Sequence, residues 1–181
     1  MPKRVTMEVT TQRSMLPSGS GGGETMAKVK VETRKPIRMA YIEHVGDYRA
    51  IPFAQYIERL YGWAKEHKVR PGFNPLGIYY DPPRTTTPEK CRSEIGIPIY
   101  GDARGSGGIK TKDLPEMKVA ATSFKGTSSE YQKTYDDLGA WVAENGYEWA
   151  GPSIEVYSKK PEQVGGKTIM YAKIEAPIRK K

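Results

Sequence analysis

Two periodicities run through the chain. In "RSEIGIPIY", Arg92 to Tyr100, Ile95, Ile97 and Ile99 fall on one face and Glu94, Gly96 and Pro98 on the other. This is the two-residue period of a strand. In "YQKTYDDLGAWVAENGY" the residues Tyr131, Tyr135, Leu138, Trp141 and Val142 recur at helical spacing. Thr127 with Glu130 makes a capping box at the start of that helix, and Gly146 stands where a C′ glycine would end it. An earlier segment carries a second inward stripe, Phe53, Ile57, Leu60 and Ala64, with Asp47 as candidate N-cap and Pro71 barring continuation.

These elements occur twice. "PIRMAYIEHVGDY" parallels "EMKVAATSFKGTS", and "FAQYIERLYGWAKEHKV" parallels "YQKTYDDLGAWVAENGY". "NPLGIYYDPP" parallels "GPSIEVYSKK", and "CRSEIGIPI" parallels "MYAKIEAPI", proline on proline. Each half therefore reads strand, helix, strand, strand. The expected fold is α+β: duplicated βαββ modules forming one antiparallel sheet with two helices on one face. The halves are expected at residues 28–100 and 110–181, joined by a Gly-rich linker at 101–109. A phosphate-binding loop does not fit that linker, which lacks the Lys-Ser/Thr ending and following helix. Residues 1–27, with "PSGSGGGET", read as a disordered leader or tag-like extension.

Strand alternation also assigns faces. In the last strand Met170, Ala172, Ile174, Ala176 and Ile178 should pack under the helices, leaving Tyr171, Lys173 and Glu175 on the bare side. Ile154 and Val156 are expected to point inward and Glu155 and Tyr157 outward, with Tyr79 inward and Ile78 and Tyr80 outward. The bare face would then collect Tyr80, Arg92, Glu94, Glu155, Tyr157 and Tyr171, with Trp149 capping a groove or plugging the core edge. Such a face suits an ordinary solvated sheet with cross-strand charge pairs, or a ligand groove with aromatic walls and acids.

Composition narrows the function classes. With 181 residues the chain is long enough for a real core, and its single cysteine, Cys91, excludes an internal disulfide. Cys91 is expected as a small buried residue in a reducing cytoplasm. No apolar run spans a bilayer and no signal-peptide h-region is present. The formal charge of +8 is diffuse, and no nucleic-acid-binding motif accompanies it. Direct nucleic-acid binding is therefore not expected. His44 and His67 offer neither metal spacing nor a paired nucleophile, and no metal or cofactor is expected.

"MAYIEHVGDY", "LGIYYDPP", "RSEIGIPI" and above all "NGYEWAGPSIEVYSKKP" resemble the GyrI-like small-molecule-binding domain, the effector-binding domain of AraC- and MerR-type regulators. The resemblance covers residues 28–180. It implies duplicated SHS2-type βαββ units with a ligand groove at the pseudo-twofold axis, and hydrophobic or cationic ligands held by aromatic residues and an acid. Glu155 and Tyr157 match the family's Glu-x-Tyr strand. Glu94 is the acid four residues before the strand proline, whereas the second half has Lys173 there. The resemblance implies ligand contacts at Glu94, Glu155 and Tyr157, and strand alternation adds Tyr80, Tyr171 and Trp149 as candidate contacts beside them. It also implies an alternative, hydrolysis of cyclopropanoid genotoxins by a Glu155/Tyr157 pair. No DNA-binding domain is expected beside the repeats. A stand-alone binding module is therefore expected, a cofactor of a separate regulator being a further alternative. Gyrase binding is not expected of so basic a chain.

Overall fold

The computed structural model describes residues 27–181; the leader expected at 1–27 lies outside them apart from Ala27. The first half runs β1 (Lys30–Arg34), β2 (Ile37–Val45), α1 (Phe53–Glu66), β3 (Arg70–Pro71), β4 (Leu76–Tyr79) and β5 (Arg92–Tyr100). The second runs β6 (Lys110–Leu114), β7 (Met117–Gly126), α2 (Ser128–Glu144), β8 (Tyr147–Trp149), β9 (Ser153–Val156), β10 (Glu162–Val164) and β11 (Lys167–Lys180). The capping box at Thr127 is formed, and Gly146 takes a positive φ of 76° just past the end of α2. Asp47, however, caps a short 3-10 turn at Tyr48–Ala50, and α1 begins later, behind Pro52.

The strands join one antiparallel sheet whose main path runs β1-β7-β11-β9-β4-β5-β2-β6, with β3 paired to β5 and β8 and β10 to β11 beside it. The order reads the same from both ends once β1 is matched with β6, β7 with β2, β11 with β5 and β9 with β4. The halves meet at β4 and β9, where Gly77 lies opposite Glu155 between the pairs Leu76–Val156 and Ile78–Ile154. The pseudo-twofold axis passes between Gly77 and Glu155.

β1 and β2 are consecutive, yet β1 pairs with β7 and β2 lies near the opposite edge of the sheet. Only Lys35 and Pro36 connect them, a reach of about 10 Å. Lys110–Leu114 makes the mirror crossing: β6 pairs with β2 and is tied to β7 by residues 115 and 116. The sheet must therefore curl until its two edges approach.

Both helices pack on the convex side. Leu60, Trp63 and Ala64 of α1 cover Ala40, Ile42, Ile97 and Ile99. Leu138 and Val142 of α2 cover Ala120, Phe124, Ile174, Ala176 and Ile178. Curling buries the helix-free face as well: Met39, Tyr41, Leu76, Ile78, Leu114 and Ile154 form a third cluster inside it. The helix-free side is thus neither a solvated face nor an open groove. Ile154 and Val156 point into this interior, and Glu155 and Tyr157 point toward the helices, the reverse of the expected orientation.

A buried carboxyl under four tyrosines

β9 delivers Glu155 to the helix side at the pseudo-twofold axis, where it is 6% exposed. Tyr135 donates to Oε1 at 2.5 Å, and Tyr157 to Oε2 at 2.7 Å. Tyr131 adds a longer bond to Oε2 at 3.2 Å. Tyr131 and Tyr135 sit one turn apart on α2, so both hydroxyls descend on the same carboxyl. Tyr157 gives its proton to Glu155, so the 2.5 Å contact between the Tyr79 and Tyr157 hydroxyls is a donation from Tyr79. Ser153 Oγ lies 3.2 Å from the Tyr135 hydroxyl.

Aromatic edges close the sides. Phe53, the first residue of α1, meets the Tyr157 ring edge-on at 4.9 Å, and Tyr48 meets Tyr79 at 5.0 Å. Gly77 completes the floor opposite Glu155: a Cβ there would come within 2.8 Å of the Tyr79 ring and hydroxyl. The glycine is what lets Tyr79 lie across the axis toward Tyr157.

The electrostatics follow from burial. Desolvation raises the Glu155 carboxyl above its usual range, against the pull of its three tyrosine hydrogen bonds. Burial, and then the Glu155 charge, push Tyr79, Tyr135 and Tyr157 well above the ordinary phenol value. Those hydroxyls stay protonated as donors. Among the described residues no Lys or Arg pairs with Glu155.

The other residues expected at the site lie elsewhere. Glu94 is in the sheet interior, ion-paired with Lys112, whose Nζ also donates to the Tyr80 hydroxyl at 3.0 Å. Tyr171 bonds Glu162 at 2.7 Å and lies under the Lys159 ammonium at 4.7 Å. Trp149 is exposed on β8, opposite Ile178 at the far end of β11. The single cavity expected from all six residues is therefore not formed. Glu155 and Tyr157 stay together, and Tyr79, Tyr131 and Tyr135 join them.

The charges on the helix-free face follow the matched strands with inverted sign. Glu94 and Lys173 are equivalent, as are Lys112 and Glu32, so Glu94–Lys112 is matched by Lys173–Glu32 at 2.5 Å. Arg34–Glu175 at 2.7 Å adds a further pair in the second half, on the positions held by Leu114 and Gly96 in the first.

The model of the GyrI-like small molecule binding domain matches residues 27–179. The chain belongs to that family. Among its relatives, a putative transcriptional regulator, YosT, from a Bacillus subtilis prophage is 25% identical, aligning 74% of this chain with 90% of that one. A DNA gyrase inhibitor of Serratia proteamaculans is 26% identical over 61% of this chain and 72% of its own. The C-terminal domain of EcmrR superposes with TM-score 0.68 at 15% identity, covering 87% of this chain and all of that domain. A Listeria innocua hydrolase gives 0.63 at 13% identity, over 84% and 92% of the two chains. SAV2435, solved bound to tetraphenylphosphonium, gives 0.53 at 12%, over 84% and 94%. These likenesses establish an α+β effector-binding-type fold.

Proposed function

We propose that the Glu155 cluster binds hydrophobic, cationic small molecules, making the protein a sensor or sequestering module for such compounds. One observation carries this reading: a carboxyl on the pseudo-twofold axis, 6% exposed and ringed by four tyrosines, has no cationic partner among the described residues. A buried carboxylate without a countercharge is costly, and a ligand cation would supply the missing charge. Tyrosine faces add cation–π attraction. Tyr131 and Tyr135 close over the carboxyl, so a ligand has to displace the first turns of α2 and bind the opened state preferentially. SAV2435, with its lipophilic cation, supports the ligand class.

The test is titration with tetraphenylphosphonium, followed by tryptophan fluorescence or calorimetry. Glu155→Gln should weaken binding by about tenfold or more, a loss of about 1.4 kcal/mol, while neutral triphenylphosphine oxide binds both proteins alike. Equal affinity of wild type and variant for the cation would sink the reading.

A second reading rests on the 2.7 Å contact between Tyr157 and a carboxyl of raised pKa, a geometry suited to proton transfer. In that case Glu155 directs water at a strained ring and Tyr157 protonates the leaving carbon or oxygen. Turnover of a cyclopropane-bearing substrate, lost in both Glu155→Gln and Tyr157→Phe, would favour hydrolysis; binding without turnover favours the first reading.

A further inference from the structure

The Gly-rich segment between the halves is built into the fold. It turns back onto the last turns of α1, and Gly105 passes so near Ile109 that an added Cβ would lie 2.2 Å from its carbonyl oxygen. This brings Ser106 to His67, the residue just past α1. Ser106 Oγ is 3.2 Å from His67 Nε2 and 2.9 Å from Trp63 Nε1. His67 Nδ1 is 2.9 Å from the Trp63 carbonyl oxygen.

The direction of every bond follows from the donor inventory. A carbonyl only accepts, so Nδ1 carries the imidazole proton and Nε2 presents its lone pair. An indole N–H only donates, so Ser106 Oγ accepts from Trp63 and turns its own proton toward Nε2. The imidazole is also held by stacking on the Trp63 ring, 5.1 Å between centroids at 27°. A hydroxyl aligned on a base whose tautomer is fixed by a third group is the arrangement that activates serine. A cleft of about 330 Å³ opens beside it, with Arg59, Gly62, Glu66 and Ile109 in its walls. Arg59 reaches across to the Gly107 carbonyl at 3.2 Å, which ties the loop down and sets a guanidinium at the cleft wall.

We propose that Ser106 is a nucleophile toward small esters entering this cleft, with His67 as its general base. Oγ bonds to the ester carbonyl carbon as its proton passes to Nε2. That proton leaves with the alcohol or phenol oxygen when the ester C–O bond breaks. Water then attacks the acyl-serine through the same imidazole, releasing a carboxylic acid and restoring Ser106. Arg59 is the cation available to the developing oxyanion. This pair is distinct from the Glu155 cluster, whose partners come from α2, β4 and β9.

The experiment treats the full chain with p-nitrophenyl acetate and follows phenolate release, intact mass and acetylated peptides. Expected is one acetyl per chain on Ser106, absent in urea, with acylation about a hundredfold slower in His67→Asn and lost in Ser106→Ala. Because the folded and urea-unfolded wild type are compared directly, the result does not hinge on how well either variant folds. Acetylation confined to lysines overturns the proposal, as does equal Ser106 labelling in wild type, His67→Asn and the unfolded chain.

Discussion

Glu155 weakens the fold at neutral pH for the same reason that it suits a cation. Its carboxyl is raised chiefly by burial, so the folded protein holds this proton more tightly than the unfolded chain does. For an acid shifted upward, the stabilising contribution is fully present below the unfolded pKa of about 4.3 and is lost as pH rises through the folded value. Glu155→Gln removes that titration while keeping an oxygen for a tyrosine donor. The variant should therefore gain on wild type as pH rises from 4 to 8. The slope is about 1.4 kcal/mol per pH unit inside the window between the two pKa values. Chemical denaturation at several pH values checks it, and a stability gap that is flat or closes with rising pH contradicts the assignment. The Glu-x-Tyr pattern pointed to the right residues but not to their side of the sheet. Ile154 and Val156 were bound to look inward because apolar residues usually mark the core, yet both faces of this sheet are buried. Where polar and apolar faces are equally covered, hydropathy cannot tell which one meets the helices. A one-residue slip, which set Glu155 against Ile78 rather than Gly77, offset the inversion in the first half, so that Ile78 and Tyr79 were still assigned to the faces they occupy.

The edge strands β1 and β6 are held by more than ladder hydrogen bonds. β6 brings Lys112 to Glu94, and β1 brings Glu32 to Lys173, the same pair with its sign reversed. Glu43 lies directly across from Glu94 on the neighbouring strand and is itself bonded by Lys110 at 2.8 Å. Lys112→Glu would crowd a third acid against these two and leave the nearly buried Glu94 unpaired, at a cost of about 2–4 kcal/mol. Glu94→Lys should cost a similar amount by opposing two ammonium groups. The double exchange recreates the polarity that the second half already uses and should recover most of the loss. Thermal unfolding of the four proteins measures the coupling, and additive losses in the double variant would refute the pairing. Both helix stripes and the Thr127 cap were legible because they are local patterns. The sequence comparison also matched Glu94 with Lys173, but their partners come from strands in the opposite half, and no local pattern carries that information.

The exchange of β1 and β6 decides how the whole molecule holds together. Each half is a strand-helix-strand-strand unit in sequence, which suggests two modules that could fold alone. In space, β2 of the first half is flanked by β6 from the second, and β7 of the second by β1 from the first. The curled sheet also gives both halves one interior, where Leu76 and Ile78 sit opposite Val156 and Ile154. A first half ending before residue 110 would lose its β6 edge, expose the β4 seam and leave β1 without a partner. The apolar area uncovered on both surfaces removes the main driving force for either half. Fragments 27–109 and 110–181 should each lack a cooperative thermal transition by circular dichroism, whereas mixing them restores strand signal and one transition that depends on concentration. A fragment that melts cooperatively alone would mean the halves are autonomous. The Glu155 cluster would then lie between separable modules, with only β9 and α2 to hold it, rather than in the seam of one indivisible sheet.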